Sequence, residues 1–265
     1  MPKSSFYRQS KLRKDQDEAD FKLINKVFLK NKEKVGIRQI KMILERDHQV
    51  LMNKKKIARI KRKFNLNTKI RRKNKYKLFV KKNQEHKTCP NLLNRNFKQT
   101  RPNTVYSIDI TQMSYGHKRL YLAAVKDLCT KEIVGKATSN RIDIRLSNMA
   151  LDRALAKLSS KERRGLMVHS DQGFHFTHFS FRKKLSDNGI KQSMSRKGNC
   201  IDNAPIESFF GHIKDLIDLK RCKTYEDLEL EVTKQINYYN HRRPQTGLKK
   251  MPPSEFRRHL KVGPL

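Results

Sequence analysis

Acidic residues are scarce in this chain: 25 Asp and Glu stand against 62 Lys and Arg, a formal net charge of +37 over 265 residues. Excess of one sign on that scale repels itself unless a polyanion neutralises it. Nucleic acid does so most economically, because displaced counterions drive the binding. The imbalance is steepest early: residues 1–100 hold 31 bases and 8 acids, residues 101–265 hold 31 and 17. Ribosomal and membrane-surface proteins reach similar charge, so it names a class of partner and no activity. Cysteine is also sparse. Cys89, Cys129, Cys200 and Cys222 form no CxxC pair, and their spacing suggests neither a disulfide framework nor a zinc site. A reducing cytoplasm fits. No apolar run of 18 residues exists, and Met-Pro-Lys-Ser-Ser does not begin a charged-then-apolar leader, so neither a membrane span nor a signal peptide is expected. Internal repeats are absent.

What is present falls into four stretches: 1–66, 67–103, 104–222 and 223–265. Residues 1–16 are polar and basic and read as a frayed start. Helical spacing follows. Leu23, Val27 and Phe28 mark one helix, Ile37, Ile40, Ile43 and Leu44 a second, and Ile57, Ile60 and Phe64 a third that Asn53 can cap. Lys54, Lys55 and Arg59 lie among the bases around the third helix. Three short helices, the last strongly basic, predict a small all-α helix-turn-helix module or a charged bundle that merely coats DNA. Residues 67–103 hold Arg71-Arg72-Lys73-Asn74-Lys75, Lys81-Lys82 and Pro/Asn punctuation. They read as a basic connector, either an arm that tracks DNA or a solvated linker.

From Thr104 the pattern becomes mixed α/β. Strands are expected at Val105–Ile110, Leu120–Val125, Glu132–Ala137, Leu166–His169 and Ile190–Met194. Helices are expected at Leu146–Leu158, at Phe179–Ser186 before Asn188-Gly189, and at Ala204–Leu219 with Pro205 in its first turn. The order is that of a five-stranded mixed sheet flanked by helices. Tyr225–Asn240 reads as a further helix, with Thr224 and Asp227 as its cap, followed by a basic, Pro-containing tail.

Three acids occupy telling positions in this frame. Asp109 is on the first strand, Asp171 directly after the fourth, and Glu207 on the Pro205 helix. Cleavage or exchange of a phosphodiester needs a deprotonated nucleophile, in-line attack and a stabilised leaving oxygen. A pair of divalent metals roughly 3.5–4 Å apart supplies all three. Mg²⁺ prefers oxygen ligands and keeps waters, so a few carboxylates suffice. Asp109 can bridge both ions while Asp171 and Glu207 each hold one. Arg196 and Lys197 precede the acidic helix, and Lys214, seven residues past Glu207, falls on the same face. Arg242 and Arg243 add cations in the tail. Each acid alone has an ordinary structural reading as a turn, strand-end or helix-start residue; the combination is the signal. Asp202 competes with Glu207 and reads as the helix N-cap. His169 reads as a packed, hydrogen-bonded residue.

The motifs Ser107-Ile108-Asp109-Ile110-Thr111, His169-Ser170-Asp171-Gln172-Gly173, Ser195 to Glu207 and Tyr239-Asn240-His241-Arg242-Arg243-Pro244 resemble those of bacterial insertion-sequence transposases of the DDE class. Within that class the resemblance is to OrfB-type proteins sharing the retroviral integrase core, and it spans about residues 20–258. It implies a ribonuclease-H-like core, two Mg²⁺ or Mn²⁺ ions on Asp109, Asp171 and Glu207, and hydrolysis that frees a 3′ hydroxyl at an element end. That hydroxyl then attacks another phosphodiester, in this subgroup usually joining the ends into a circle. It also implies DNA contacts near Lys54, Lys55, Arg59, Arg196, Lys197, Lys214, Arg242 and Arg243, a homo-oligomer on paired ends, and an OrfA partner or OrfAB fusion. The setting would be the bacterial cytoplasm, in association with the nucleoid. Phe176 stands where Tyr is usual, Ile201 where an aromatic is common, and Gln245 where His is frequent. A different metal-dependent nuclease on the same core, and a DNA-binding relic without activity, are the competing readings. A tyrosine recombinase is excluded, because the Arg…His-x-x-Arg…Tyr order is missing.

Overall fold

The computed structural model describes residues 3–69 and 88–262. These divide into two compact units: 3–69 together with 244–251, and 88–243 together with 252–262. The basic runs at 71–75 and 81–82 lie outside the described residues.

The first unit is helical: α1 (Lys3–Lys30), α2 (Ile37–Asp47) and α3 (Lys54–Lys63). Helix α1 corrects the expected frayed start, because its backbone is helical from Lys3. From Arg8 to Lys14, Arg, Gln, Lys and Leu predominate, good helix formers without an apolar stripe, so propensity favours a helix that periodicity does not announce. Ile24, Val27, Phe28, Ile40, Ile43, Leu44, Ile57 and Ile60 form the core. The Asn53 side chain accepts from Lys55 N–H at 2.8 Å and caps α3. Residues 244–251 join this unit: the Gln39 amide donates to Pro244 O, Lys250 pairs with Glu45, and Leu248 is buried.

The second unit holds β1 (Val105–Tyr115), β2 (Lys118–Asp127), β3 (Ile133–Ser139), β4 (Met167–Ser170) and β5 (Lys191–Met194), in spatial order β3-β2-β1-β4-β5. β1, β2 and β3 are antiparallel neighbours, whereas β4 runs parallel to β1 and β5 parallel to β4. Helices α4 (Ile144–Leu155), α5 (Ser160–Arg164), α6 (Phe174–Thr177) and α7 (Phe179–Asp187) follow in chain order, then α8 (Ala204–Leu216) and α9 (Tyr225–His241). Strand alternation sorts side chains between two cores. Tyr106, Ile108, Ala123, Val125 and Val168 pack with α4 and α7. Met113, Tyr115, Leu122 and Ala124 pack with α8 and α9. Gly135 is where β3 meets α4 most closely: a Cβ there would lie 2.3 Å from Ala150 O.

Two stretches differ from expectation. Residues 88–103, read as connector, are tied to this unit: Leu92 and Leu93 N–H both donate to Ser193 Oγ, and Leu93 is buried beside Val105 and Leu128. Their apolar residues are isolated, so no periodicity marks them. The expected basic tail contains α10 (Pro253–Val262), begun by a proline whose fixed φ suits a first helical position. On it Arg257 donates to Asp127 at 2.6 Å and to Asn103 at 2.8 Å and pairs with Glu132.

Candidate active site

On β1 the odd-numbered residues point toward α8 and α9. Ser107 Oγ donates to Asn203 Oδ1 at 3.0 Å, and Met113 and Tyr115 enter the α8–α9 core. Asp109 lies between these positions and shares their face. Across the parallel β1–β4 ladder Ser107 is level with His169. Asp109, further along β1, and Asp171, just past the end of β4, each lie two residues beyond that pair.

Both carboxylates are oriented by nearby backbone. Asp109 Oδ1 accepts from Ile110 N–H at 2.7 Å, and Asp171 Oδ1 accepts from Gly173 N–H at 2.7 Å. A Cβ at Gly173 would lie 2.7 Å from that same Asp171 oxygen, so the glycine makes room for the acid. The Gln172 amide donates to Ser195 O at 3.1 Å and ties the Asp171 turn to the loop before α8. Beneath it the buried His169 ring bonds Ser193 and Ser195. Burial holds this imidazole below its ordinary pKa.

Glu207 is in the first turn of α8. That turn is pinned at two points: Asn203 meets Ser107, and the Lys126 ammonium donates to Pro205 O at 2.8 Å. Glu207 stands one helical turn after Asn203, on the same side of the helix, as Asp109 stands two strand positions after Ser107. Lys214 lies two turns beyond Glu207 on that side. Asp109 and Asp171 thus each follow the Ser107–His169 pair by two residues, and Glu207, an exposed residue, rides on a helix whose start is anchored to Ser107 and Lys126. Among the described residues, no three His, Cys, Asp or Glu side chains are gathered closely enough to hold a metal ion.

Asp202 is not the N-cap of α8. A short 3-10 turn, Cys200–Asn203, precedes the helix, and Asn203 takes the cap position without a side-chain cap bond. Asp202 is instead fully buried at its carboxylate, accepting from Arg196 N–H, Nε and Nη2, from Arg95 Nε at 2.7 Å and from Asn91 Nδ2 at 3.0 Å. The Arg196 hydrogen bonds hold this carboxyl well below the usual range. Charge-assisted bonds of this kind outweigh a single cap, and Asn91 and Arg95 are too remote in sequence for local pattern to reveal them.

The remaining expected DNA contacts are spread over both units. Arg196 engages Asp202, as above, and the adjacent Lys197 is exposed. In the helical unit Lys54 and Lys55 are exposed, whereas Arg59 forks onto Asp17 with bonds of 2.7 and 2.6 Å. Arg242 is exposed and Arg243 half-buried over the Tyr239 ring. Phe176, at the position where Tyr was the expectation, is buried edge-on to Phe181.

Comparison with known proteins adds an independent line. Integrase core domain families match residues 99–200 and 188–253, and an HTH-like domain family matches residues 15–74. The chain is 35% identical over 260 residues to the putative transposase InsK of insertion sequence element IS150 from Escherichia coli K12, covering 97% of this chain and 90% of that protein. It is 33% identical to the IS904 transposase of Lactococcus lactis, covering 89% and 92%. In fold it is similar to a chain of the simian T-cell lymphotropic virus intasome complex, with a TM-score of 0.53 at 16% identity over 69% of this chain and 63% of that one. The sheet order and flanking helices are those of a ribonuclease-H-like integrase core.

Proposed function

The chain belongs to the insertion-sequence transposases built on an integrase core, enzymes that cleave and transfer DNA strands, and we propose that Asp109, Asp171 and Glu207 together form its catalytic centre. The observation that supports this reading is the β1–β4 pairing, in which Ser107 is level with His169 and each acid follows two residues later. All three acids offer hard oxygen donors suited to Mg²⁺ or Mn²⁺. Asp109, Asp171 and Glu207 would hold two such ions. When bound, they would lower the pKa of the attacking water or hydroxyl and neutralise charge on the leaving oxygen.

This chain's own residues supply position and field. Gly173 N–H fixes the Asp171 carboxylate. The Asp202 cluster fixes the loop entering α8, and Ser107 with Lys126 fixes the helix start that delivers Glu207. Lys197 and Lys214 hold DNA beside the acids. In the first step water attacks the phosphorus at an element end, the P–O3′ bond breaks, and the 3′ oxygen leaves as a hydroxyl. In the second, that 3′ hydroxyl attacks another phosphodiester, a new P–O3′ bond forms, and the displaced oxygen takes up a proton. Lys54 and Lys55 on α3 contact DNA. The working form is a homo-oligomer on paired ends, associated with the nucleoid and with an OrfA-type partner or fusion.

Purified protein, Mg²⁺ and DNA bearing the element's ends test the reading. Nicking and joining are expected from the wild type and not from Asp171→Asn. Cleavage without joining, indifferent to end sequence, would identify an unspecialised nuclease.

A further inference from the structure

Several cations in this protein are met by acids: the half-buried Arg257 by Asp127 and Glu132, and the exposed Arg59 and Arg196 by Asp17 and Asp202. A cluster of cations in the second unit is not. Lys126 is 5% exposed, at the end of β2 on the face covered by α8 and α9. Its ammonium and the Arg243 guanidinium carbon each lie 5.9 Å from the centroid of the Tyr239 ring, which is itself 1% exposed. Lys131, in the β2–β3 turn, and His212, on α8, complete the group. Burial first, then the charges of Lys126 and Arg243, holds Lys131 below its ordinary pKa. Desolvation, then the charges of Arg243 and Lys126, pulls His212 down to about 4. Among the described residues no carboxylate pairs with any of the four. The oxygen that Lys126 does reach is the backbone carbonyl of Pro205.

The charges of Lys126, Lys131 and Arg243, gathered on a desolvated aromatic floor, cost free energy unless something external compensates them. The floor is closed by Lys126 and Tyr239, whereas Lys131 and Arg243 are half-buried and His212 is exposed, so the cluster opens to solvent on one side. The ring face of Tyr239 offsets part of the charge. It does not replace a counter-anion.

We propose that Lys126, Lys131, His212 and Arg243 form a dedicated phosphate-binding site that grips one phosphodiester of bound DNA. The proposal rests on the reading that the chain acts on DNA. It uses none of the three acids: Lys126 lies opposite Ser107 on the neighbouring strand, Tyr239 is near the end of α9, and Arg243 lies two residues past that helix. A grip there holds DNA that passes over the α8–α9 side of the core while another part of the strand lies at the acids.

The test is the salt dependence of affinity for a duplex of arbitrary sequence, measured with full-length protein. Lys131→Asn, which keeps a residue tolerant of the left-handed φ of 59° there, and Arg243→Gln are each compared with the wild type. Loss of one phosphate contact lowers the slope of log K against log salt by about 0.9 and weakens binding alike for all sequences. Either variant is therefore expected to lose about one unit of slope, with its thermal midpoint near that of the wild type. Should Arg243→Gln misfold, the turn variant Lys131→Asn carries the test alone. Unchanged slopes overturn the proposal. Stabilisation by inorganic phosphate over chloride at equal ionic strength, lost in the variants with no change in the duplex slope, would make this a free-anion site and overturn its assignment to DNA. Failure of wild-type strand cleavage with the slope effect intact would count against the catalytic reading and leave this site standing.

Discussion

Asp109, Asp171 and Glu207 differ in what holds them, and substitutions should separate the carboxylate from its support. Asp109→Asn, Asp171→Asn and Glu207→Gln each remove a hard anionic ligand while keeping shape. Each is expected to lower nicking and strand transfer at least about a hundredfold with duplex affinity changed by less than about threefold, as read by gel assay beside a binding titration. Gly173→Ala is subtler. Its backbone is in an ordinary region, φ −64°, so folding is not strained, but the new methyl meets Asp171 Oδ1 at 2.7 Å. A loss of turnover of about tenfold with an unchanged melting midpoint is expected; full activity would show that the Asp171–Gly173 bond does not matter. The buried acids also set a pH dependence. Arg59 and then Lys63 bonds hold Asp17 below the ordinary carboxylate value, and Arg196 bonds do the same for Asp202. The unfolded chain therefore binds more protons than the folded one below about pH 4, and stability present above that value is lost as pH falls. In melts from neutral to acid pH the wild-type midpoint should fall steeply. Asp17→Asn and Asp202→Asn should start lower and fall less. The three catalytic candidates were legible in sequence because each sits in a short contiguous motif. Asn91 and Arg95 were not, since their meeting with Asp202 is a product of tertiary folding.

At the scale of elements, periodicity and caps marked most of the scaffold. The Asn53 cap of α3, the Thr224–Asp227 capping box of α9 and the Asn188-Gly189 stop after α7 stand where the residues placed them, Gly189 at φ 67°. β1 and β2 run longer than their apolar cores because antiparallel pairing continues through Gln112–Tyr115, where polar and apolar residues alternate, and through Lys118 and Arg119. α5 and α6 are too short to give an amphipathic signal. The tail motif around Tyr239 and Asn240 acquires a structural role that the sequence did not reveal. Asn240 Oδ1 accepts from Ile133 N–H at 2.9 Å and its Nδ2 donates to Ile133 O at 3.0 Å, so one side chain completes the start of edge strand β3. Asn240→Ala leaves both backbone groups buried and unpaired. It should cost about 1–3 kcal/mol, measured by chemical denaturation; a cost below about 0.5 kcal/mol would mean water replaces the side chain.

The whole chain carries its +37 charge on two units with separate cores. The sequence anticipated a helical unit and an α/β unit from the change of period near Thr104. It did not anticipate that residues 244–251, far along the chain, belong to the helical one. That membership follows from Leu248, Gln39 and the Glu45–Lys250 pair, contacts between positions about 200 apart that no local window contains. Leu248→Ala should lower the stability of the helical unit by about 2–5 kcal/mol, read by hydrogen exchange at α2, and leave exchange in β1 unchanged. For the molecule as an enzyme the decisive question is whether the three acids share one metal site. Fe²⁺ substituted for Mg²⁺, with ascorbate and peroxide in the presence of bound element-end DNA, generates hydroxyl radicals that cut the polypeptide close to the ion. The expected result is three cuts in one experiment, near residues 109, 171 and 207, all lost in Asp171→Asn. Cuts near 109 and 171 without one near 207, or a pattern unaffected by Asp171→Asn, would contradict a shared catalytic centre.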